Sequence, residues 1–254
     1  MNGFLALLAW LTAAGVTVEH VRVPTPSGVT LDAALVRPSG PVTGPAVVGL
    51  HGCGGPYPSR DGPWAVELSR RGHVVLLPDS FGSRGLGPQC RVKERTVRPA
   101  EERRADTIAA ARWLDAGPVV VVGWSNGGQT ALAVAKQADD LPDGLIARLV
   151  AFYPGCRATL QDGGWRPAAR VLILVGEADD WTPAEPCRRL AERFPDRLSL
   201  VTYAGAYHDF DAPDRPVRVL TGLATTRDGT AHAGTDPAAR ADALVRVPAF
   251  VAGR

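Results

Sequence analysis

The chain has 254 residues, of which 45% are hydrophobic and 21% are charged, and its 28 basic and 26 acidic residues give a formal net charge of +2. This composition suits one α/β domain or two small ones, and it excludes a disordered chain and a collagen-like repeat. The near balance of charge removes the electrostatic reason to expect nucleic acid as a partner. No uninterrupted apolar run approaches the roughly 18 to 20 residues of a membrane-spanning helix, so we expect no stable insertion into a membrane.

The first fifteen residues contain an apolar stretch, residues 4–14, that has the length of a signal-peptide core. Ala13, Ala14 and Gly15 are small enough for a cleavage site, although no Lys or Arg precedes the stretch. A short N-terminal helix packed on the domain is the alternative. We expect a cleaved signal peptide and a periplasmic or secreted protein, with a cytoplasmic one as the alternative.

The chain contains four cysteines: Cys53, Cys90, Cys156 and Cys187. An even number allows two disulfides, in any of three connectivities, if the compartment is oxidising. Buried free thiols are the alternative. Because no two cysteines are closely spaced and histidine does not cluster with them, we expect no zinc site.

Alternating apolar and polar residues over 16–23 and 29–36 predict an antiparallel hairpin with one solvated face. Short apolar runs, typical of strands buried on both faces, follow at residues 46–50, 73–77, 119–122, 149–153, 171–175 and 198–203. Segments with helical spacing occur at residues 64–71, 100–116, 126–138, 184–194 and 237–251. This alternation predicts an α/β fold over residues 16–254, with a mostly parallel, doubly wound sheet and helices on both faces.

The strongest chemical signal is a Gly-x-Ser-x-Gly motif centred on Ser125. A predicted strand precedes the motif and a predicted helix follows it, as a nucleophile elbow requires. Glycine two positions to either side, at Gly123 and Gly127, lets the neighbouring backbone pass the sharp turn without a Cβ clash. The motif therefore predicts that Ser125 is a nucleophile at the N-terminus of a helix.

A serine nucleophile needs a histidine base and a carboxylate that orients the base. His208 directly follows the last predicted strand, whereas His232 lies in a polar segment and is expected at the surface. The turn after the strand at residues 171–175 offers Asp179, our choice for the acid, with Asp180 as the alternative. The expected chain order is therefore serine, aspartate, histidine.

The tetrahedral intermediate of acyl transfer needs hydrogen-bond donors for its oxyanion. We assign them to the backbone N–H groups of Cys53, in a glycine-rich loop after a predicted strand, and of Asn126, directly after the serine. The Cys53 side chain has neither an elbow nor a nearby base, so we expect it to be structural or paired with Cys90. A long, Arg-rich connection at residues 81–99 is either part of the site or a solvated excursion.

Six motifs occur in the order found in the dienelactone hydrolase family of α/β hydrolases, which the chain resembles over roughly residues 29–251. The motifs are HGCGG at 51–55, PDSFG at 78–82, GWSNGG at 123–128, FYPGC at 152–156, GEADD at 176–180 and YHDF at 207–210. The resemblance implies the α/β-hydrolase fold and the triad Ser125, Asp179 and His208. Dienelactone hydrolase itself has a cysteine nucleophile, and a glutamate where this chain has His51, so a dienelactone substrate does not follow.

The resemblance also places the family's substrate-carboxylate arginine near Arg84, and Trp124 and Trp181 are further candidate substrate-binding residues. Residues 84–98 form a local basic loop that favours an anionic substrate.

These signals together predict a function. We expect a serine hydrolase that acts on a small carboxylic ester or lactone without a metal or organic cofactor. An acyltransferase or peptidase on the same triad, or a non-catalytic binding module, are the alternatives. The sequence does not define an oligomeric state.

Overall fold

The structure is a computed structural model that describes residues 3–14 and 16–254. Eight strands form its main sheet: β1 (Thr17–Pro24), β2 (Thr30–Arg37), β3 (Val47–Leu50), β4 (Val75–Pro78), β5 (Val119–Trp124), β6 (Ile146–Phe152), β7 (Arg170–Gly176) and β8 (Leu198–Tyr203). Their order across the sheet is β1-β2-β4-β3-β5-β6-β7-β8. A separate two-stranded ribbon pairs β9 (Arg218–Thr221) with β10 (Thr230–Ala233).

The sheet is antiparallel at its N-terminal edge and parallel elsewhere. β1 pairs with β2 in antiparallel register from Thr17 opposite Arg37 to Pro24 opposite Thr30, and β2 pairs antiparallel with β4. From β4 onward the neighbouring strands are parallel. Every residue of β3, β4 and β5 is buried, because helices cover these central strands on both faces. The predicted α/β-hydrolase architecture is confirmed.

Seven α-helices flank the sheet in the described part of the chain: α1 (Gly3–Ala13), α2 (Pro58–Arg70), α3 (Glu102–Leu114), α4 (Asn126–Ala135), α5 (Arg157–Gln161), α6 (Glu185–Arg193) and α7 (Pro237–Ala252). Two apolar cores form, one on each face of the sheet. Buried residues of α1, α2 and α7 share one core, and those of α3, α4 and α6 share the other. Within β5, Val120 and Val122 enter the first core while Val119 and Val121 enter the second, as the alternation of a strand dictates.

The N-terminal apolar stretch forms α1, which packs on the domain. Phe4, Leu7 and Leu11 are buried in the same core as α2. This is the packed helix that we considered as an alternative to a signal peptide; cleavage after it stays a prediction, and Gly15 lies outside the described residues. In the part of the chain that the structure describes, no helix combines the length and apolar character needed to cross a membrane.

Both pairs of cysteines form disulfides, Cys53 with Cys90 and Cys156 with Cys187. The first bond ties the Arg-rich connection after β4 to the glycine-rich loop after β3. The second ties α6 to the segment after β6. Both bonds therefore fasten loops that follow the carboxyl ends of strands, which is the edge where open α/β sheets bind ligands.

The short helix α5 and the β9–β10 ribbon were not predicted from the sequence. The ribbon includes His232, which the sequence analysis places in a polar segment. Val219 of β9 is exposed and the strand buries none of its four residues fully, so it lacks the apolar alternation that marks a strand.

Candidate active site

Ser125 lies in the sharp turn between β5 and α4, with φ 54° and ψ −113°. Few residues other than glycine adopt a positive φ, and such strain clusters at functional sites. Glycines on either side make the turn possible. A Cβ at Gly123 would lie 2.2 Å from the carbonyl oxygen of Gly127, and one at Gly127 would lie 2.0 Å from that of Leu50. The backbone therefore holds the serine at the edge of the sheet, where its side chain is 8% exposed.

Ser125, His208 and Asp179 form one hydrogen-bonded chain. His208 Nε2 lies 2.9 Å from Ser125 Oγ, and His208 Nδ1 lies 2.8 Å from Asp179 Oδ2. Because a carboxylate only accepts, the ring carries its proton on Nδ1 and presents the Nε2 lone pair to the serine hydroxyl. His208 and Asp179 are 1% and 3% exposed, so bulk water does not screen their interaction.

The loops that carry the acid and the histidine lie against each other. The N–H of Ala178 donates to the carbonyl of Ala206 at 3.1 Å, and the N–H of Gly234, beside β10, donates to the carbonyl of His208 at 2.9 Å. Asp179 Oδ1 also accepts the backbone N–H groups of Trp181 and Thr182, at 2.9 and 2.8 Å. Backbone donors from its own turn thus fix the carboxylate toward the histidine.

Asp180, the alternative acid, belongs to a different pair. Its carboxylate accepts from the ring Nδ1 and the backbone N–H of His232, at 2.7 and 2.8 Å. Both side chains are about two-fifths exposed, at 44% for Asp180 and 40% for His232. The structure therefore brings Asp179, not Asp180, to His208, and it places His232 at the surface.

The surroundings of His208 favour its charged form. Burial on its own lowers the pKa of His208, but the adjacent Asp179 carboxylate outweighs burial and the pKa lies above its ordinary value of 6.5. The ring also packs between two aromatic side chains, with centroid distances of 4.4 Å to Tyr153 and 4.6 Å to Trp181. An imidazolium formed at this position is stabilised by the carboxylate and held in a fixed orientation.

The two residues assigned to the oxyanion hole border the same cleft as Ser125. Asn126 is the first residue of α4, so its N–H has no acceptor within the helix. Cys53 follows β3, and its carbonyl accepts the N–H of Gln89 at 2.7 Å, next to the disulfide partner Cys90. The Arg-rich connection therefore braces the loop that carries Cys53.

Trp124 does not contact the cleft, contrary to our expectation. It is 2% exposed and its ring is stacked with Phe152 at 5.6 Å in the core. Its Nε1–H donates to Asp211 Oδ2 at 2.8 Å, and Asp211 also accepts from Trp64 Nε1 and the Tyr153 hydroxyl. Strand alternation is the reason, since Trp124 follows Val120 and Val122 toward the α2 side of the sheet.

Arg84, the expected substrate-carboxylate ligand, is not among the residues that line the clefts at Ser125. Its guanidinium donates to both oxygens of Asp106 at 2.8 Å and to the carbonyl of Ser80 at 2.8 Å, and the side chain is 13% exposed. This bidentate pair with Asp106 of α3 occupies the Arg84 N–H groups that would otherwise bind a substrate carboxylate.

Two clefts meet at Ser125. The larger, about 550 Å³, extends from Cys53 and Asn126 and is bordered by Arg95, Arg157 and Arg227. The smaller, about 300 Å³, contains His208. Trp181 borders both clefts, so of the two tryptophan candidates this is the one that the structure brings to the serine.

Two residues of the site were missed in the sequence. The Thr182 hydroxyl donates toward Asp179 Oδ2 at 2.9 Å, and the buried Arg103 donates to the side chain of Asn126 at 2.6 Å. A threonine before a helix and an arginine in an Arg-rich stretch give no local signal, because their roles depend on contacts made across the sheet edge.

A family model described as the dienelactone hydrolase family matches residues 31–252. The chain belongs to the dienelactone hydrolase family. No curated protein matches it. Membership of this family and the observed fold make the chain a hydrolase.

Solved structures share the fold at low sequence identity. A protein from Klebsiella pneumoniae subsp. pneumoniae MGH 78578, assigned as a dienelactone hydrolase, is similar with 18% identity and a TM-score of 0.71, covering 94% of this chain and 99% of that one. A dienelactone hydrolase-like promiscuous phosphotriesterase from metagenomic libraries has 17% identity and a TM-score of 0.67, with 94% and 98% covered. A hyperthermophilic esterase from Pyrobaculum calidifontis has 19% identity and a TM-score of 0.63, with 99% and 91% covered.

Proposed function

We propose that the protein hydrolyses carboxylic esters or lactones through an acyl-enzyme on Ser125. The observation that carries this proposal is the continuous chain from Ser125 Oγ through His208 to Asp179, with steps of 2.9 and 2.8 Å. The strained serine turn at a helix N-terminus supports it, because free N–H groups there stabilise a developing negative charge.

In this mechanism His208 Nε2 removes the proton as Ser125 Oγ attacks the substrate carbonyl. The backbone N–H groups of Cys53 and Asn126 bind the oxyanion of the tetrahedral intermediate. His208 then donates its proton to the leaving alcohol, and the acyl-enzyme remains. Water, activated by the same histidine, attacks the acyl carbon and releases the acid, while Asp179 keeps the ring oriented through both halves.

We propose further that the acyl group carries a negative charge. The larger cleft is bordered by Arg95, Arg157 and Arg227, and Asp180, the one carboxylate among its lining residues, is paired with His232. The leaving group would occupy the smaller cleft, where His208 lies ready to protonate it. Oppositely charged groups in a cleft raise the local concentration of a charged substrate.

The two disulfides support a periplasmic or secreted location, since such bonds persist in oxidising compartments and are rare in the cytosol.

The proposed activity is tested with p-nitrophenyl butyrate and the variant Ser125→Ala. Loss of all turnover above the rate in buffer is expected, with the thermal unfolding temperature retained. Turnover by Ser125→Ala at the wild-type rate would refute the assignment of the nucleophile.

A further inference from the structure

Arg103 joins the two loops that form the proposed oxyanion hole. It lies in the first turn of α3, is 1% exposed, and donates from Nη1 to Asn126 Oδ1 at 2.6 Å and from Nη2 to the carbonyl of His51 at 2.9 Å. Asn126 carries one of the proposed N–H donors. His51 lies two residues before Cys53, which carries the other. One guanidinium therefore holds both loops at once.

The surroundings of Arg103 differ from those of a buried structural arginine. Buried cations are ordinarily paired with a carboxylate, because an unpaired one is costly. Among the described residues Arg103 forms no ion pair, and its buried Nε has no hydrogen-bond partner. Asp106, one turn further along α3, is instead paired with Arg84. Both hydrogen bonds of the Arg103 guanidinium go to uncharged groups of the oxyanion loops.

Arg103 nevertheless remains charged. Burial lowers its pKa, opposed by the charges of Asp106 and Asp79, and the value falls to about 10. The guanidinium lies over the ring of Phe81, with its carbon 5.1 Å from the ring centroid. A planar cation that is fixed on an aromatic face and keeps its charge at neutral pH is suited to hold two loops in a fixed relation.

Building on the proposed function above, we propose that Arg103 is a positioning residue of the oxyanion hole. Its bond to the His51 carbonyl sets the direction of the loop that ends in the N–H of Cys53. Its bond to the Asn126 side chain fixes the residue whose own N–H is the second donor. Oxyanion donors act only within a narrow range of distance and direction, so loosening either loop weakens binding of the transition state more than binding of the substrate.

The test uses Arg103→Met, Asn126→Ala and the double variant, with Arg104→Met as the matched control. Arg104 is the next residue of α3 and also holds a neighbouring element, since its Nε–H donates to the carbonyl of Ala133 in α4 at 3.0 Å. Each variant is assayed for kcat and KM with p-nitrophenyl butyrate and for inhibition by phenylboronic acid. The boronate adduct of the serine places an oxygen where the oxyanion forms.

We expect Arg103→Met to lower kcat by about 10- to 100-fold with little change in KM, and to weaken boronate inhibition by a similar factor. The effects of Arg103→Met and Asn126→Ala should be non-additive in the double variant, because both remove the same bond. Arg104→Met should alter the unfolding temperature alone.

Folded Arg103→Met with kcat and boronate affinity within about twofold of wild type would overturn the proposal, as would a loss of kcat without a loss of boronate affinity. If Arg103→Met does not fold, kcat and boronate affinity are measured on Asn126→Ala instead, and values within about twofold of wild type would overturn the proposal. Failure of the proposed function is distinguishable, because Ser125→Ala would then retain its activity.

Discussion

Thr182 holds both carboxylate oxygens of Asp179. Its backbone N–H donates to Oδ1 at 2.8 Å and its hydroxyl lies 2.9 Å from Oδ2, the oxygen that also accepts from His208. The same hydroxyl lies 3.0 Å from the carbonyl of Tyr153. The hydroxyl has a single proton, which it donates either to Asp179 Oδ2 or to the Tyr153 carbonyl, and donation to the charged carboxylate is the stronger bond.

The first prediction concerns the Thr182 hydroxyl. Thr182→Val keeps the shape and the backbone N–H but removes the hydroxyl, and a hydrogen bond to a charged group contributes about 1.5 to 3 kcal/mol. We expect kcat/KM to fall by roughly 10- to 100-fold, with Thr182→Ser restoring most of the activity. Steady-state kinetics on p-nitrophenyl butyrate measure both variants. Wild-type kinetics in Thr182→Val would show that the backbone donors alone hold Asp179.

The second prediction is the pH dependence. A base works only when it is neutral, and the pKa of His208 is raised because Asp179 outweighs the effect of burial. The activity should therefore fall as the pH drops, with an inflection of kcat/KM above the ordinary histidine value of 6.5. In Asp179→Asn the raising charge is absent, so the inflection of the residual activity should move to lower pH.

Circular dichroism at each pH separates loss of the base from unfolding. An acid limb well below pH 6.5 in the folded wild-type protein would contradict the assigned environment of His208.

The third prediction addresses the charge of the substrate. Arg95 is the arginine of the basic loop that reaches the larger cleft, and its guanidinium is otherwise bonded to carbonyls of its own loop. Arg95→Ala should raise KM for p-nitrophenyl hemisuccinate by about fivefold, the effect of a partly exposed charge pair, and leave KM for p-nitrophenyl butyrate unchanged. Arg91→Ala is the matched control, since Arg91 lies in the same loop and its Nε–H donates to the carbonyl of Thr221.

Equal changes in KM for both esters, or the same effect from Arg91→Ala, would rule out recognition of an acyl carboxylate by Arg95.

The fourth prediction concerns the disulfides. They join residues 37 and 31 positions apart, and cross-links that close loops of this length stabilise a domain by about 3 to 4 kcal/mol each in the chain-entropy model. Reduction should lower the unfolding temperature markedly. Thiol titration of the denatured, unreduced protein should detect no free thiol, and peptide mapping should recover the two pairs. An unchanged unfolding temperature after full reduction would show that neither bond stabilises the fold.

Much of the fold could be predicted, because its signals are local. The buried runs and helical spacings correspond to the eight strands and to five of the helices, with bounds that differ by a few residues. The β9–β10 ribbon was not predicted, because its strands are short and β9 is mostly exposed. The N-terminal stretch could be read in two ways, since an apolar run of that length suits both a signal peptide and the packed helix α1.

Within the site, Ser125 could be predicted because it directly follows the fully buried strand β5, and His208 because it lies in the turn after β8. Parallel strands bring their carboxyl ends to one edge of the sheet. The side-chain contacts of Arg84 and Trp124 could not be predicted from the sequence. Arg84 forms hydrogen bonds with Asp106, 22 residues further along the chain, and Trp124 donates a hydrogen bond to the buried Asp211, 87 residues further along. Such pairings depend on the packing of distant elements, and no local pattern encodes them.

The central claim is that Ser125 is the nucleophile of a Ser–His–Asp hydrolase. Its most direct test is labelling of the protein with a fluorophosphonate, followed by peptide mass mapping of the modified residue, with Ser125→Ala and His208→Ala in parallel. We expect one label per chain, on Ser125, that is lost in Ser125→Ala and formed far more slowly in His208→Ala. A label on another residue, or labelling of folded Ser125→Ala at the wild-type rate, would contradict the account.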